Sequence, residues 1–282
     1  MTKVISNSFF VILLFFVLKS NFLFCQNGKV VQTEIEGGKI VGLDYYYNHE
    51  IKKDPYGNFV RYHYTWEDTA NSGYSELGNI IRDLGAKTIS IEKRPEHENL
   101  SGLSVYIIVD PDIPSENPNP NYIESADIKN IVSWIKKGGV LMLFANDKGN
   151  CELKHLNNLS DNFGIHFNED SRNRVTGKDF DVGKFDKFPN HPIFKNVKKI
   201  YLKEISSLKL SGNAKAILQD KGDVIMASAS YGQGFVFAVG DPWFYNEYID
   251  NRMLPIGYEN FKAAENLFKW LMPKARIVNM KK

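Results

Sequence analysis

Val105-Tyr-Ile-Ile-Val109 runs straight into Asp110-Pro111-Asp112, and Val140-Leu-Met-Leu-Phe144 runs into Ala145-Asn146-Asp147. Neither apolar run alternates with polar residues, so neither has a solvent face; continuous runs of this length are the pattern of parallel strands buried on both sides. Helical periodicity fills the space around them. Tyr74, Leu77, Ile80, Ile81 and Leu84 recur at helical spacing over Ser72–Leu84 with Gly85 at the stop, and a second helix is expected over Ile123–Lys136 before Gly138-Gly139. Working outward, strands are expected at Lys39–Asp44, Lys87–Ile91 and Ile165–Phe167, and helices at Glu152–Phe163 and Glu259–Leu271. Val224–Ala229 and Phe235–Val239 flank Tyr231-Gly-Gln-Gly234 as a hairpin. Alternating buried strands and helices predict an α/β fold with a doubly wound, mainly parallel sheet.

The chain has 282 residues. Met1–Cys25 carries two lysines, no acid and an apolar run from Phe9 to Leu18, which reads as a signal peptide. Lys19 interrupts that run short of the ~20 residues that span a bilayer. The expectation is a periplasmic or secreted protein whose residues 26–282 form a single domain. A lipoprotein anchored at Cys25 is the lesser reading, because the bulky Phe24 precedes it. Without the leader, 33 basic side chains face 33 acidic ones. That balance argues against a nucleic-acid binder and against polybasic membrane attachment. Cys151 then stands alone, so no internal disulfide is expected.

Ligands of open parallel sheets bind beyond the carboxyl ends of the strands. Those exits read Tyr45 to Glu50, Asp110 to Asp112, Asn146 to Asn150 and Gly240 to Asn246, all rich in acids, amides and aromatics. Such a mixture suits sugars, whose C–H faces stack on rings while their hydroxyls take hydrogen bonds. Asp, Asn and Pro are equally turn formers. The three exits at Asp110, Asn146 and Asp241 are expected to border one cleft. A dinucleotide fingerprint fails, since Gly232-Gln-Gly234 is followed by Phe237 where a third glycine belongs. No phosphate loop or nucleophile elbow is present. Asp110 and Asp112 are candidates for a divalent cation or for a turn; the histidines show no paired ligand spacing, and neither a metal nor a cofactor is expected.

Tyr62-His-Tyr-Thr-Trp-Glu-Asp-Thr-Ala-Asn-Ser-Gly73, Val109-Asp-Pro-Asp112, Ala145-Asn-Asp-Lys-Gly-Asn-Cys-Glu152, Phe167-Asn-Glu-Asp-Ser-Arg-Asn-Arg174 and Gly240-Asp-Pro-Trp243 together carry a family resemblance. The chain resembles the glutamine-amidotransferase-like domains that accompany unsaturated glucuronyl and rhamnogalacturonyl hydrolases in bacterial polysaccharide breakdown. Stand-alone secreted members are similar to an oligosaccharide dehydratase of marine ulvan degradation. The resemblance spans essentially the whole chain after the leader and implies a flavodoxin-like sheet. It does not imply amidotransferase chemistry, because the elbow cysteine is missing.

What the resemblance implies is removal of water across C4 and C5 of a non-reducing-end uronic acid, glucuronate or iduronate, leaving a 4,5-unsaturated sugar for an unsaturated glucuronyl hydrolase. Such a reaction needs an acid and a base beside the ring and a cationic or amide seat for the carboxylate. By residue type and expected position, His63, Tyr64, Lys148 and Tyr245 are the proton-transfer candidates. Arg172, Arg174 and Asn146 are candidates for the carboxylate, Trp66 and Trp243 for a stacking wall, and His49, Asp147 and Asp241 for further substrate contacts. A non-catalytic carbohydrate-binding module, or a scaffold for a neighbouring hydrolase, would use the same aromatics and amides.

Overall fold

The computed structural model describes residues 38–280, which fall within one compact unit. The expected signal peptide and its cleavage or lipidation point lie outside the described residues. In chain order the strands and helices are β1 (Ile40–Asp44), β2 (Ile51–Lys53), β3 (Phe59–Arg61), α1 (Ser75–Asp83), β4 (Lys87–Ile91), α2 (His97–Leu100), β5 (Val105–Val109), α3 (Ser125–Lys136), β6 (Val140–Phe144), α4 (Leu153–Ser160), β7 (Ile165–Phe167), β8 (Lys184–Phe185), β9 (Ile200–Tyr201), β10 (Leu208–Leu210), β11 (Lys215–Asp220), β12 (Asp223–Tyr231), β13 (Gly234–Val239), α5 (Asn246–Ile249) and α6 (Asn260–Leu271).

Nine strands form one mixed sheet in the order β4-β1-β5-β6-β13-β12-β10-β7, with β11 also paired to β12. From β4 to β13 every pairing is parallel. From β13 through β12 and β10 to β7, and from β12 to β11, every pairing is antiparallel. The expected α/β fold is therefore present, with a parallel half that matches the buried runs and an antiparallel half of which only the β12–β13 hairpin was expected. Strands β10 and β11 fall in a stretch the periodicity left unassigned, since Leu208–Leu210 is too short to alternate and Lys215–Asp220 reads as polar at both ends.

Alternation along β5 and β6 divides the core. Val105, Ile107 and Val109 with Val140, Met142 and Phe144 face α1 and α6, whose Leu77, Ile81, Leu267 and Phe268 close that side. Tyr106, Ile108, Leu141 and Leu143 face α3 and α4, where Ile131, Trp134, Ile135 and Leu156 close the other. Apolar residues on both faces of these strands require a helix layer on each side, which is what the unbroken runs encode. The turn from α3 into β6 uses Gly138 at φ 116°, a left-handed helix stop. At Gly139 a Cβ would lie 2.5 Å from the Trp134 ring, so only glycine lets the indole close over the turn.

Two short hairpins stand apart from the sheet. β2 pairs with β3 so that Ile51 faces Arg61, and β8 pairs with β9. The first hairpin lies between β1 and α1, and it builds one wall of the cleft described next.

Candidate functional site

A cleft of about 680 Å³ opens beyond the carboxyl ends of β5 and β6, bordered by the β2–β3 hairpin, the loop after it and the turn before α5. Its floor is Asp110, the first residue after β5. The backbone there turns left-handed, at φ 40°, while its N–H still bonds the Phe144 carbonyl at 2.8 Å. That conformation carries a cost a non-glycine residue normally avoids. Oδ2 accepts from the Tyr64 hydroxyl and from Asn146 Nδ2, each at 3.1 Å, whereas Oδ1 is buried without a partner. Asp110 is 2% exposed, and burial, with the nearby Glu116 carboxylate, pushes its pKa up to about 8 against the opposing pull of His63, Asn146 and Tyr64. At neutral pH Asp110 is thus mostly the neutral acid.

The wall follows from the hairpin. The Tyr62 N–H bonds the Glu50 carbonyl, extending the register that pairs Ile51 with Arg61 and setting His63 beside Glu50. His63 and Tyr64 then both adopt left-handed backbone, at φ 62° and 48°. Consecutive non-glycine residues in that region are unusual and mark a segment held by its surroundings. The holding contacts are a bond from Tyr64 N–H to the Ser72 carbonyl and the stack of the two rings, with centroids 3.9 Å apart at 15°. His63 Nδ1 lies 2.6 Å from Glu50 Oε1, which leaves Nε2 for a ligand. Burial lowers the imidazolium pKa, but the Glu50 carboxylate, with Asp110 and Glu116, more than offsets it and holds the ring above its ordinary value.

The opposite side is built from the last loop. Asn246 Nδ2 donates to the carbonyls of Asp68 and Ala70 and to Ser75 Oγ, and its Oδ1 accepts from Glu76 N–H. This single amide ties the segment after His63 to the start of α5 and seats Tyr245 edge-on to Tyr64, with centroids 5.9 Å apart. Burial keeps both phenols well above their ordinary pKa and therefore protonated. Lys203 and Lys52 supply positive charge at the rim: Lys203 Nζ pairs with Glu204 at 3.1 Å, and Lys52 Nζ lies 4.0 Å from the Tyr62 ring centroid. Glu116 also lines the cleft, and burial pushes its carboxyl up to about 7. The cleft thus gathers carboxyl and imidazole groups that titrate near neutrality, two phenols that stay protonated, and two ammonium groups.

Among the residues expected from sequence, His63, Tyr64, Asn146 and Tyr245 line this cleft together. Asp241 does not line it: the side chain is buried beneath the rim, where Oδ2 accepts from Lys203 N–H at 2.6 Å. Asp147 is buried and bonds Asn150. The expected stacking wall is absent from the cleft. Trp243 is fully buried against Phe244, and Trp66 is buried with its Nε1 on the Ile89 carbonyl, since both indoles complete the core. The arginine clamp is displaced too. Arg172 pairs with Asp220 and Asp223, each at 3.0 Å, at the β11–β12 turn, and Arg174 is an exposed loop residue outside the cleft. Lys148 points to a neighbouring hollow and pairs with Glu169 at 3.2 Å, so it is not placed for proton transfer beside His63. His49 Nδ1 turns back to the Tyr45 carbonyl.

Glu50, Lys52, Glu116 and Lys203 line or brace the cleft without having been singled out in the sequence. Glu50 stood next to His49 in a strand exit, but its pairing with His63 depends on a hairpin register that the residue order does not display. Asp112 Oδ2 is taken up by His49 N–H and Asn117 Nδ2, as a turn residue would be. No group of three or more metal-ligating side chains occurs among the described residues, and no helix among them is long and apolar enough to cross a membrane. Cys151 is buried, and burial pushes its thiol up, away from the thiolate form.

No protein-family model matches the sequence, and no curated protein matches it. Solved structures do. The mmIFT52 N-terminal domain is similar at a TM-score of 0.62 and 18% identity, over 83% of this chain and 97% of that one. Cytoplasmic protein STM1381 from Salmonella typhimurium LT2 is similar at a TM-score of 0.54 and 12% identity, over 83% and 99%. A putative ThuA-like protein from Bacteroides uniformis ATCC 8492 aligns at a TM-score of 0.45 and 13% identity, over 86% and 96%. The first two likenesses speak for a shared α/β fold and for nothing about chemistry.

Proposed function

We propose that the cleft dehydrates the non-reducing-end uronic acid of an oligosaccharide, giving a 4,5-unsaturated sugar, and that the sheet is a glutamine-amidotransferase-like, flavodoxin-like variant without amidotransferase chemistry. The observation that carries this reading is the convergence of His63, braced by Glu50, with the Tyr64 and Tyr245 phenols over the neutral Asp110. In this reading His63 Nε2 takes the C5 proton, and Glu50 stabilises the imidazolium that forms, as an orienting carboxylate does for any catalytic histidine. The electron pair left at C5 forms the C4–C5 double bond as the C4 hydroxyl departs. A phenol of Tyr64 or Tyr245 supplies the proton that turns that hydroxyl into water. The substrate carboxylate, on which charge builds during proton removal, is met by Lys203, Lys52 and Asn146 in place of the arginines.

Under the same proposal the protein acts outside the cytoplasm and hands its product to an unsaturated glucuronyl hydrolase. Purified protein with oligosaccharides ending in saturated glucuronate or iduronate should lose the mass of one water and gain ultraviolet absorbance, because the new double bond conjugates with the carboxylate. His63→Ala should slow this by ~10²- to 10⁴-fold. Binding with no change of mass across both uronates would instead establish the non-catalytic carbohydrate-binding reading.

A further inference from the structure

A second, smaller hollow of about 280 Å³ is lined by Tyr122 and His155, by the ammonium groups of Lys148 and Lys154 and by the carboxylates of Glu152 and Glu169. The cleft and this hollow are separated by loops that present alternate residues to each side. In the loop after β6, Asn146 and Asn150 face the cleft while Lys148, Gly149 and Cys151 face the hollow. In the loop after β5, Glu116 faces the cleft while Ile113 and Pro114 face the hollow. Asn150 and Cys151 are chain neighbours, so the two spaces share the loop after β6 as a common wall. The hollow has its own ligand chemistry. Tyr122 keeps 36% of its surface exposed, and its far side is packed on His155, with ring centroids 4.7 Å apart at 29°. Glu152 lies beside His155, with a carboxylate oxygen 3.0 Å from Nδ1. A braced ring with one open face is a platform for a pyranose. Lys148 lines the same hollow, 64% exposed and paired with the equally exposed Glu169, a pair weak enough to yield to an acidic group.

We propose that this hollow is a second subsite, holding the inner sugar of an acidic oligosaccharide whose terminal sugar occupies the cleft, with Tyr122 stacking on the ring and Lys148 meeting its sulfate or carboxylate. The inference rests on the reading of the cleft as a uronate site but not on the elimination step. It also gives Lys148 a role in binding, where sequence alone had suggested proton transfer.

The experiment is titration calorimetry of the full protein with uronate-ended disaccharides and tetrasaccharides, the latter with and without sulfate on the inner sugar. The tetrasaccharide should bind about tenfold tighter than the disaccharide, a difference that Tyr122→Ala abolishes. Lys148→Ala should remove the part of the gain that depends on the sulfate or inner carboxylate, and should leave disaccharide binding as it was. Equal affinity for both lengths, or equal weakening of both by Tyr122→Ala, would overturn the subsite and leave the cleft reading intact. Length-dependent binding without any product would uphold the subsite and overturn the elimination step, and failure of every oligosaccharide to bind would overturn both.

Discussion

The imidazole of His63 and the carboxylate of Glu50, thirteen residues apart in the chain, meet at 2.6 Å between Nδ1 and Oε1. Their approach depends on the β2–β3 hairpin, whose register places Glu50 opposite Tyr62, and on the two left-handed residues that follow. A ring this buried would otherwise favour its neutral form; the carboxylate reverses that preference.

Glu50→Gln keeps the shape and removes the charge, so the His63 pKa should fall. Histidine-ring NMR titration should show the fall without any substrate present. If His63 is the base, the rising limb of the pH–rate profile should move to lower pH while KM changes little and kcat drops. An unmoved His63 titration would show that Glu50 does not set its charge.

Stability should depend on pH through the buried acids. Asp110 is pushed up to about 8, and Asp44 to about 7 by burial, despite the 2.5 Å bond it accepts from the Tyr106 hydroxyl. In the unfolded chain the same groups titrate near 4. Between these values the folded state holds protons that the unfolded state has released. Stability is therefore greatest below that window and falls as pH rises through it, by up to ~1.4 kcal/mol per pH unit for each such group. Urea unfolding across the window should show the decline. Asp110→Asn, whose amide oxygen can still accept from Tyr64 and Asn146, should make it shallower; an unchanged slope would mean that Asp110 is ionised in the folded protein.

Gly73→Ala tests how the wall is held. A Cβ there would lie 1.8 Å from the Asp68 carbonyl oxygen, inside the loop that Asn246 ties together. The backbone would have to move, costing about 3 kcal/mol, and Tyr64, whose N–H bonds Ser72, would move with it. A lower Tm joined to loss of oligosaccharide binding is expected. A variant of unchanged Tm would show that the loop has room the contact distances deny.

The parallel half of the fold was legible because its signals are local. An unbroken apolar run such as Val140–Phe144 carries its own evidence of burial, and α6 shows its inner face in Ala263, Ala264, Leu267 and Phe268. The antiparallel half was legible only at the β12–β13 hairpin, since β10 and β11 take their identity from pairing with β12 and not from their own pattern. The site divided along the same line. Strand exits pointed to Asn146 and Tyr245, and the family resemblance with residue type to His63 and Tyr64, but residue type alone could not tell a surface ring from a core ring. Trp243 looked like a stacking residue for its company with Asp241, yet it is fully buried. Arg172 looked like a clamp, yet its partners are Asp220 and Asp223, nearly fifty residues on and invisible from its own neighbourhood.

That last displacement separates two seats for the substrate carboxylate by mutation. Lys203 lines the cleft, and its backbone N–H is fixed by the buried Asp241, so the ammonium stands on a rigid base. Glu204, also in the cleft lining, shares its charge, but both side chains are partly exposed, and such a pair is worth about 1 kcal/mol and yields to a ligand. Lys203→Ala should therefore raise KM for uronate-ended substrates by about tenfold and lower kcat as well, because the carboxylate gains charge as the C5 proton leaves. Arg172→Ala should leave both constants unchanged and cost about 1 kcal/mol of stability, since its pairs with Asp220 and Asp223 are partly exposed. Steady-state kinetics beside urea unfolding would read both variants. The opposite pattern, with Arg172→Ala disabling turnover and Lys203→Ala silent, would move the carboxylate to the β11–β12 turn and take the reaction out of this cleft.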